Sequence, residues 1–275
     1  MTTTLTPEAE TTQPTPAREK RPYQLTTFGQ LKSEWTKFWS LRSVAIMMVL
    51  SAALPALLAF PIANSFTDLD SAQGMDVVLT PMTSISFGAI LVGLLGVLVV
   101  TSEFSSGSIR STMAANPSRL GFLRNKIITF SAIITVVFSL VVITVYSIVQ
   151  VQLGDSALAS SITDPGVARA LAGLVICAVY WGLLGVALGT LLRNTAGAIV
   201  SFVVLFLMLP DLLSMVPGDW TTDLLPYLPA QTIMPLMNAS TENQDLSLTT
   251  ASLLCGMWLV LLLGAGAAAM KRRDV

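Results

Sequence analysis

The sequence predicts an all-α integral membrane protein: six transmembrane helices preceded by an amphipathic interfacial helix, with both termini in the cytosol. Of its 275 residues, 53% are hydrophobic and 11% are charged, and the mean hydropathy is +0.72. The apolar residues fall into six long runs, and the basic residues gather between alternate runs. Such a composition and such a segregation of charge are typical of multi-pass membrane proteins.

The first segment, residues 1–22, is rich in Thr, Pro and Glu and offers little apolar surface to bury. We therefore expect it to form a disordered cytosolic tail. The first apolar run starts near Val44, too far along the chain for a secretory signal, and no small-residue cleavage site follows it. This run should remain in the mature protein.

Segment 23–43 is predicted to form an amphipathic helix. Its apolar residues recur at helical spacing, and they are Phe28, Leu31, Trp35, Phe38 and Trp39. Polar residues occupy the other side, among them Gln30, Ser33, Glu34 and Lys37. A Trp-rich helix of this kind lies in the plane of the membrane interface, although a soluble helix packed on a partner would show the same pattern. Both interpretations make it an anchor.

Six apolar runs follow within a transmembrane domain at 44–275. About 20 apolar residues cross a hydrocarbon core of roughly 30 Å as a helix, because lipid cannot pair with backbone groups. The predicted spans are about 44–63, 82–100, 127–149, 170–192, 197–216 and 250–270.

Charge predicts the orientation of these spans. Arg169 alone of the 15 Lys and Arg residues lies outside the termini and the loops after the second and fourth spans. The charged residues of the other loops are acidic apart from Arg169. The positive-inside rule therefore places both termini and loop 101–126 in the cytosol.

Loop 101–126 contains the pattern Glu-Phe-Ser-Ser-Gly-Ser-Ile-Arg. In a helix at about 103–113, Glu103, Gly107 and Arg110 would align on one face. Ile109 and Met113 would form a small apolar contact on another face, and Pro117 would end the helix. An ordinary solvated loop explains the same charges.

This arrangement resembles the permease subunits of type-2 ATP-binding cassette (ABC) transporters, in particular the six-span bacterial exporters whose ATPase is a separate subunit. The likeness runs from about Leu25 onward and rests on the Glu-Phe-x-x-Gly-Ser-Ile-Arg pattern together with the topology. It implies a bacterial plasma membrane protein that exports a hydrophobic or amphipathic substrate (a drug, lipid or peptide). It also implies a second permease, identical or not, and an ATPase partner.

The resemblance assigns ATPase coupling to the helix at 103–113. The residues that it implies are Glu103, Phe104, Gly107, Ile109, Arg110 and Met113. Similar permeases also carry re-entrant helices in the outer segment before the last span. The four prolines in residues 217–245 of this chain fit short helices that dip into the outer leaflet.

The chain itself is not expected to be an enzyme. It has no Gly-x-x-x-x-Gly-Lys-Ser/Thr motif to cradle phosphates, so ATP and Mg²⁺ would bind the partner ATPase and this chain would need no cofactor. It has no His, the commonest metal ligand and general base, which argues against a zinc site or a catalytic triad. We expect no metal site and no nucleic-acid partner, and we interpret Cys177 and Cys255 as packing residues.

The third run carries a polar stripe of Ser131, Thr135, Ser139, Tyr146 and Gln150. Hydrogen-bonded helix packing and a wall of the substrate path explain this stripe equally well. Gly185 and Gly189 in the fourth run form a GxxxG pair, which predicts close helix packing. Asp211, near the outer end of the fifth run, is interpreted as interfacial, because a lone carboxylate makes a poor proton relay.

Two other classes of membrane protein compete with the exporter. A secondary transporter or channel without an ATPase partner usually places several ionisable groups or broken helices at the midplane, and this sequence offers almost none. A membrane enzyme is disfavoured by the absence of His and of clustered carboxylates.

Overall fold

The computed structural model describes residues 27–67, 75–109, 118–240 and 244–272, and within these ranges the chain forms helices joined by turns. The predicted tail at 1–22 lies outside the described residues. The long helices are α1 (Thr27–Ser40), α2 (Arg42–Asn64), α3 (Ser84–Ser105), α4 (Arg119–Leu153) and α5 (Val167–Leu192). The fifth span, Thr195–Ser214, consists of α6 (Thr195–Phe202), a π-helical stretch (Val203–Met208) and α7 (Leu209–Ser214). After it come α8 (Asp219–Leu224), a 3-10 turn (Leu225–Tyr227), α9 (Met234–Met237) and α10 (Leu248–Arg272).

The described helices include six that are long and apolar enough to cross a membrane, as predicted. The largest difference in bounds is in α4, which starts at Arg119 rather than near residue 127. The Ser118 hydroxyl accepts a hydrogen bond from the Gly121 N–H at 3.0 Å and so caps the helix. With 35 residues, α4 is about 52 Å long at 1.5 Å per residue. It is therefore longer than the hydrocarbon core is thick.

Helices α3 and α5 form the centre of the bundle and approach each other through small residues. A Cβ atom on Gly185 would overlap the carbonyl oxygen of Gly93, and one on Gly96 would overlap that of Gly182. An ideal Cβ atom on Gly189 would lie 3.0 Å from the carbonyl oxygen of Val97. The close packing predicted from the GxxxG pair is confirmed.

The bundle has two chemically different ends. The basic end comprises α1, the start of α2, residues 105–109, the start of α4, the α5–α6 junction and the end of α10. The acidic end comprises the described parts of loops 65–83, 154–166 and 215–247. Alternating helix direction places the connections at these two ends in turn.

Arg169, the one basic residue outside the basic end among those that the structure describes, holds the outer segment to α5. Its Nη2 donates to the carbonyl oxygens of Asn238 at 3.0 Å and Ala239 at 2.9 Å. One turn further along α5, a Cβ on Gly173 would overlap the carbonyl oxygen of Leu236. The outer segment therefore packs directly on α5, and it forms short helices there. Whether they enter the lipid stays a prediction.

Helix α1 ends at Ser40, earlier than predicted, because Leu41 adopts an extended conformation before α2 begins. Trp35 and Trp39 are about half exposed, whereas Phe38 is buried and its ring centroid lies 6.3 Å from that of Phe130 on α4. Leu31 is partly buried, and the side chain of Phe28 is outside the described set. The interfacial role of this anchor stays a prediction.

Candidate coupling site at the basic end

Four charged side chains from three helices meet at the basic end and form what we call the ion cluster: Glu34 and Lys37 of α1, Glu103 of α3 and Lys126 of α4. The Lys126 Nζ lies 2.7 Å from Glu103 Oε1 and 2.9 Å from Glu34 Oε2. The Lys37 Nζ lies 3.2 Å from Glu34 Oε1 and 3.8 Å from Glu103 Oε2. The two positive and two negative formal charges balance.

The ion cluster is largely shielded from solvent. Lys126 is 3% exposed, Glu103 5% and Glu34 9%. The Lys126 Nζ also lies 3.4 Å from the Val99 carbonyl oxygen and 5.1 Å from the centroid of the Phe122 ring. Because an unpaired buried charge is very unfavourable, the three buried side chains Glu34, Glu103 and Lys126 require oppositely charged partners, and α1, α3 and α4 are held together.

Helical spacing explains why these side chains converge. Phe122, Lys126 and Phe130 are four residues apart and share one face of α4, while Glu34 and Phe38 share one face of α1. The α1 face packs on the α4 face, so the aromatic pair Phe38–Phe130 and the ion pair Glu34–Lys126 form side by side. Glu103 reaches the same point from the last turn of α3.

One prediction about side-chain position at this end is wrong: Glu34 was assigned to the polar face of α1, but it is buried against the bundle. Glu103 and Lys126, which belong to the loop expected in the cytosol, are also buried, in the ion cluster. A salt bridge between them satisfies both charges without water, which sequence position alone does not reveal.

The helix predicted at 103–113 is interrupted in its described part, and Ser108 and Ile109 are helical again after the interruption. Helix α3 ends at Ser105, and Gly107 has a φ of 69°, a left-handed conformation that glycine adopts without strain. Glu103 and Gly107 therefore do not share one helical face. Ile109, the predicted apolar contact, is 3% exposed and packs into this chain. Arg110 and Met113 lie outside the described residues.

Among the described residues of this region, 105–108 are exposed, and we call them the exposed turn. Phe104, just before it, is partly buried, and the Arg193 guanidinium carbon lies 5.2 Å from its ring centroid. The Arg193 Nη2 also donates to the Ala269 carbonyl oxygen at 3.3 Å. The residue just before the exposed turn thus contacts the Arg193 side chain that follows α5, and a backbone carbonyl of α10 holds that side chain in turn. The coupling role of the residues around it stays a prediction.

The polar stripe on α4 divides into two parts. Near the acidic end, the Tyr146 hydroxyl donates to the Ser160 carbonyl oxygen at 2.8 Å, and the Gln150 Oε1 accepts from the Ser160 N–H at 2.9 Å. These two residues hold a loop. Nearer the middle, Thr135 is exposed on the surface of the chain, and the Ser139 hydroxyl donates to its carbonyl oxygen at 2.7 Å. A substrate path along this part, including partly buried Ser131, stays a prediction.

Sequence reasoning missed the ion cluster as a unit. The sequence contains one indication of it, because Lys126 and Glu103 directly border apolar runs, where charged side chains need partners. What the sequence does not specify is that α1 packs across α4. In the part of the chain that the structure describes, no group of three or more His, Cys, Asp or Glu side chains could hold a metal ion.

No protein-family model matches this chain, and no curated protein matches it.

Proposed function

We propose that the chain is the transmembrane permease subunit of an ATP-driven exporter of the ABC type. In this proposal the basic end faces the cytosol of a bacterial cell, and a separate ATPase subunit docks at the exposed turn. The substrate is hydrophobic or amphipathic, and two permeases, identical or not, form the pathway. The observation that carries the proposal is the ion cluster directly beneath the exposed turn, combined with six apolar helices.

The ion cluster gives the exposed turn a mechanical connection to the bundle. Glu103 lies two residues before the end of α3, so a displacement of the turn acts on a side chain paired with α1 and α4. Helix α3 in turn packs on α5 through glycines, and the two helices are so close there that they cannot slide independently. A partner that pushes on the exposed turn would therefore move four helices together. Binding and hydrolysis of ATP belong to that partner.

The alternative, a secondary transporter or channel without an ATPase partner, gains no support from the ion cluster. Glu103 is in the last turn of α3 and Lys126 is near the start of α4. Both therefore lie at the ends of their helices, whereas coupling-ion sites lie near the bilayer midplane.

Copurification from native membranes tests the proposal. An affinity-tagged chain should recover an ATP-binding protein, and Arg110→Ala should reduce ATPase activity stimulated by transport while leaving the recovered chain folded. Arg110 is chosen because Glu103 is buried and its removal would disturb folding. Recovery of an oligomer that lacks any ATPase but still transports would contradict the exporter.

Orientation is tested by labelling single cysteines with a membrane-impermeant maleimide. Ser106→Cys and Asn194→Cys at the basic end should react only from the cytosol, and Ser161→Cys and Thr222→Cys only from outside. All four positions are exposed, whereas the native Cys177 and Cys255 are buried and should give little background. The reverse pattern would place nearly all basic residues on the translocated side and would refute the orientation.

A further inference from the structure

A cavity of about 420 Å³ opens at the acidic end, between the end of the fifth span and the outer segment. Its buried walls come from Pro210, Pro235 and Leu246. Asp211 and Asp245 line it from two different elements, α7 and the chain that leads into α10. The cavity brings together residues more than thirty positions apart in the sequence, so it is a product of the fold.

Charge in this cavity has one sign. Its lining includes two carboxylates and no Lys or Arg among the described residues. Arg169, the basic residue of this end among the described residues, is not itself part of the lining, and its Nη2 donates to the backbone carbonyl oxygens of Asn238, which lines the cavity, and of Ala239. Asp219 and Asp223 on nearby α8 add further negative charge. A cleft of this kind concentrates cations.

The cavity also offers neutral acceptors. Gln231, Asn238 and Gln244 line it with their amide groups. The Asn238 Oδ1 atom is buried and has no hydrogen-bond partner among the described residues. A buried acceptor without a partner is unfavourable, and a ligand N–H group would satisfy it.

Size and apolar lining distinguish an organic cation from a metal ion. A volume of about 420 Å³ falls in the range of small-molecule pockets, roughly 300–1,000 Å³. Leu225, Pro226 and Met234 add apolar surface to the three buried wall residues. A bare Ca²⁺ ion requires six to eight oxygen ligands at about 2.4 Å, and within the described residues no suitable cluster of acidic ligands occurs.

We propose that this cavity binds an amphiphilic organic monocation, with Asp211 and Asp245 facing its charge and the apolar wall contacting its hydrocarbon part. The binding itself is independent of any ATPase. That such a cation is the exported substrate rests on the proposed function.

Equilibrium binding of two ions of matched shape and opposite charge tests the proposal. The full-length chain in phosphatidylcholine nanodiscs would be titrated with tetraphenylphosphonium and with tetraphenylborate, and binding to empty nanodiscs subtracted. We expect saturable binding of the cation and none of the anion. Asp211→Asn and Asp245→Asn should each weaken cation binding roughly three- to tenfold, as expected for loss of one partly hydrated charge contact.

Asp219→Asn is the matched control, because this exposed carboxylate belongs to the same end but does not line the cavity. Its affinity should stay within about twofold of the wild-type value, as expected for an exposed charge outside contact distance. Equal binding of tetraphenylborate, an Asp211→Asn/Asp245→Asn double variant with unchanged affinity, or displacement of the cation by stoichiometric Ca²⁺ would each overturn the proposal.

The experiments can contradict the exporter proposal and the cation-site proposal independently of each other. If the chain binds tetraphenylphosphonium at the predicted residues but copurifies with no ATPase, the cation site stands and the exporter does not. If an ATPase copurifies and the cation does not bind, the exporter stands and this site does not.

Discussion

Lys126→Met is expected to lower the free energy of unfolding by about 3–5 kcal/mol, because it leaves two buried carboxylates without their shared cation. Glu34 and Glu103 both lie within 2.9 Å of the Lys126 Nζ in the native chain. After the substitution, Lys37 is the remaining member of the ion cluster that can balance them, and its side chain is 34% exposed. Thermal unfolding and the monodisperse fraction in detergent would report the loss.

Two matched variants identify the cause. Lys37→Met removes the same type of charge from the exposed edge of the cluster and should cost less than about 1 kcal/mol. Glu103→Gln combined with Lys126→Met removes one charge of each sign and leaves Glu34 paired with Lys37, so it should recover part of the lost stability. If Lys126→Met were as mild as Lys37→Met, the buried network would not hold these helices together.

Gly185→Ala should destabilise the chain by about 1–3 kcal/mol or more, as expected for overpacking at a rigid contact. The added Cβ would overlap the carbonyl oxygen of Gly93, and backbone cannot move aside as a flexible side chain can. Helices α3 and α5 would have to separate along their whole contact. Thermal unfolding in nanodiscs, with the same lipid throughout, would measure the effect.

Gly256→Ala provides the control, since this glycine also lies in a spanning helix but a Cβ there meets nothing within 4 Å. It should be neutral, or should stabilise the chain by up to about 1 kcal/mol through helix propensity. Equal effects of the two substitutions would contradict close packing of α3 on α5.

The fold was largely predictable because few backbone structures can cross a lipid bilayer. Six apolar runs had to be helices, and their bounds agree with the structure to within a few residues except in α4. That exception has a physical reason: Arg119 and Arg124 resemble loop residues by charge, yet a helix can continue past the hydrocarbon core into water. The cap at Ser118 fixes its start.

The site was less predictable because it depends on contacts between distant segments. Helical periodicity identifies which residues share a face, but not which other helix that face meets. Glu34 and Lys126 are therefore ordinary surface charges in the sequence and ion-pair partners in the fold. The break at Gly107 was hidden for a related reason, since glycine is compatible with both a continuing helix and a left-handed turn.

Site-specific photo-crosslinking tests the central claim, that a separate ATPase docks at the basic end, most directly. The photo-reactive residue p-benzoylphenylalanine would replace Ser106 in the exposed turn or, as the control, Ser161 at the acidic end, and native membranes would be irradiated. The proposal predicts a light-dependent adduct between position 106 and an ATP-binding protein, and no such adduct from position 161. Adducts from position 106 with lipid alone, in membranes where the chain is folded and active, would contradict it.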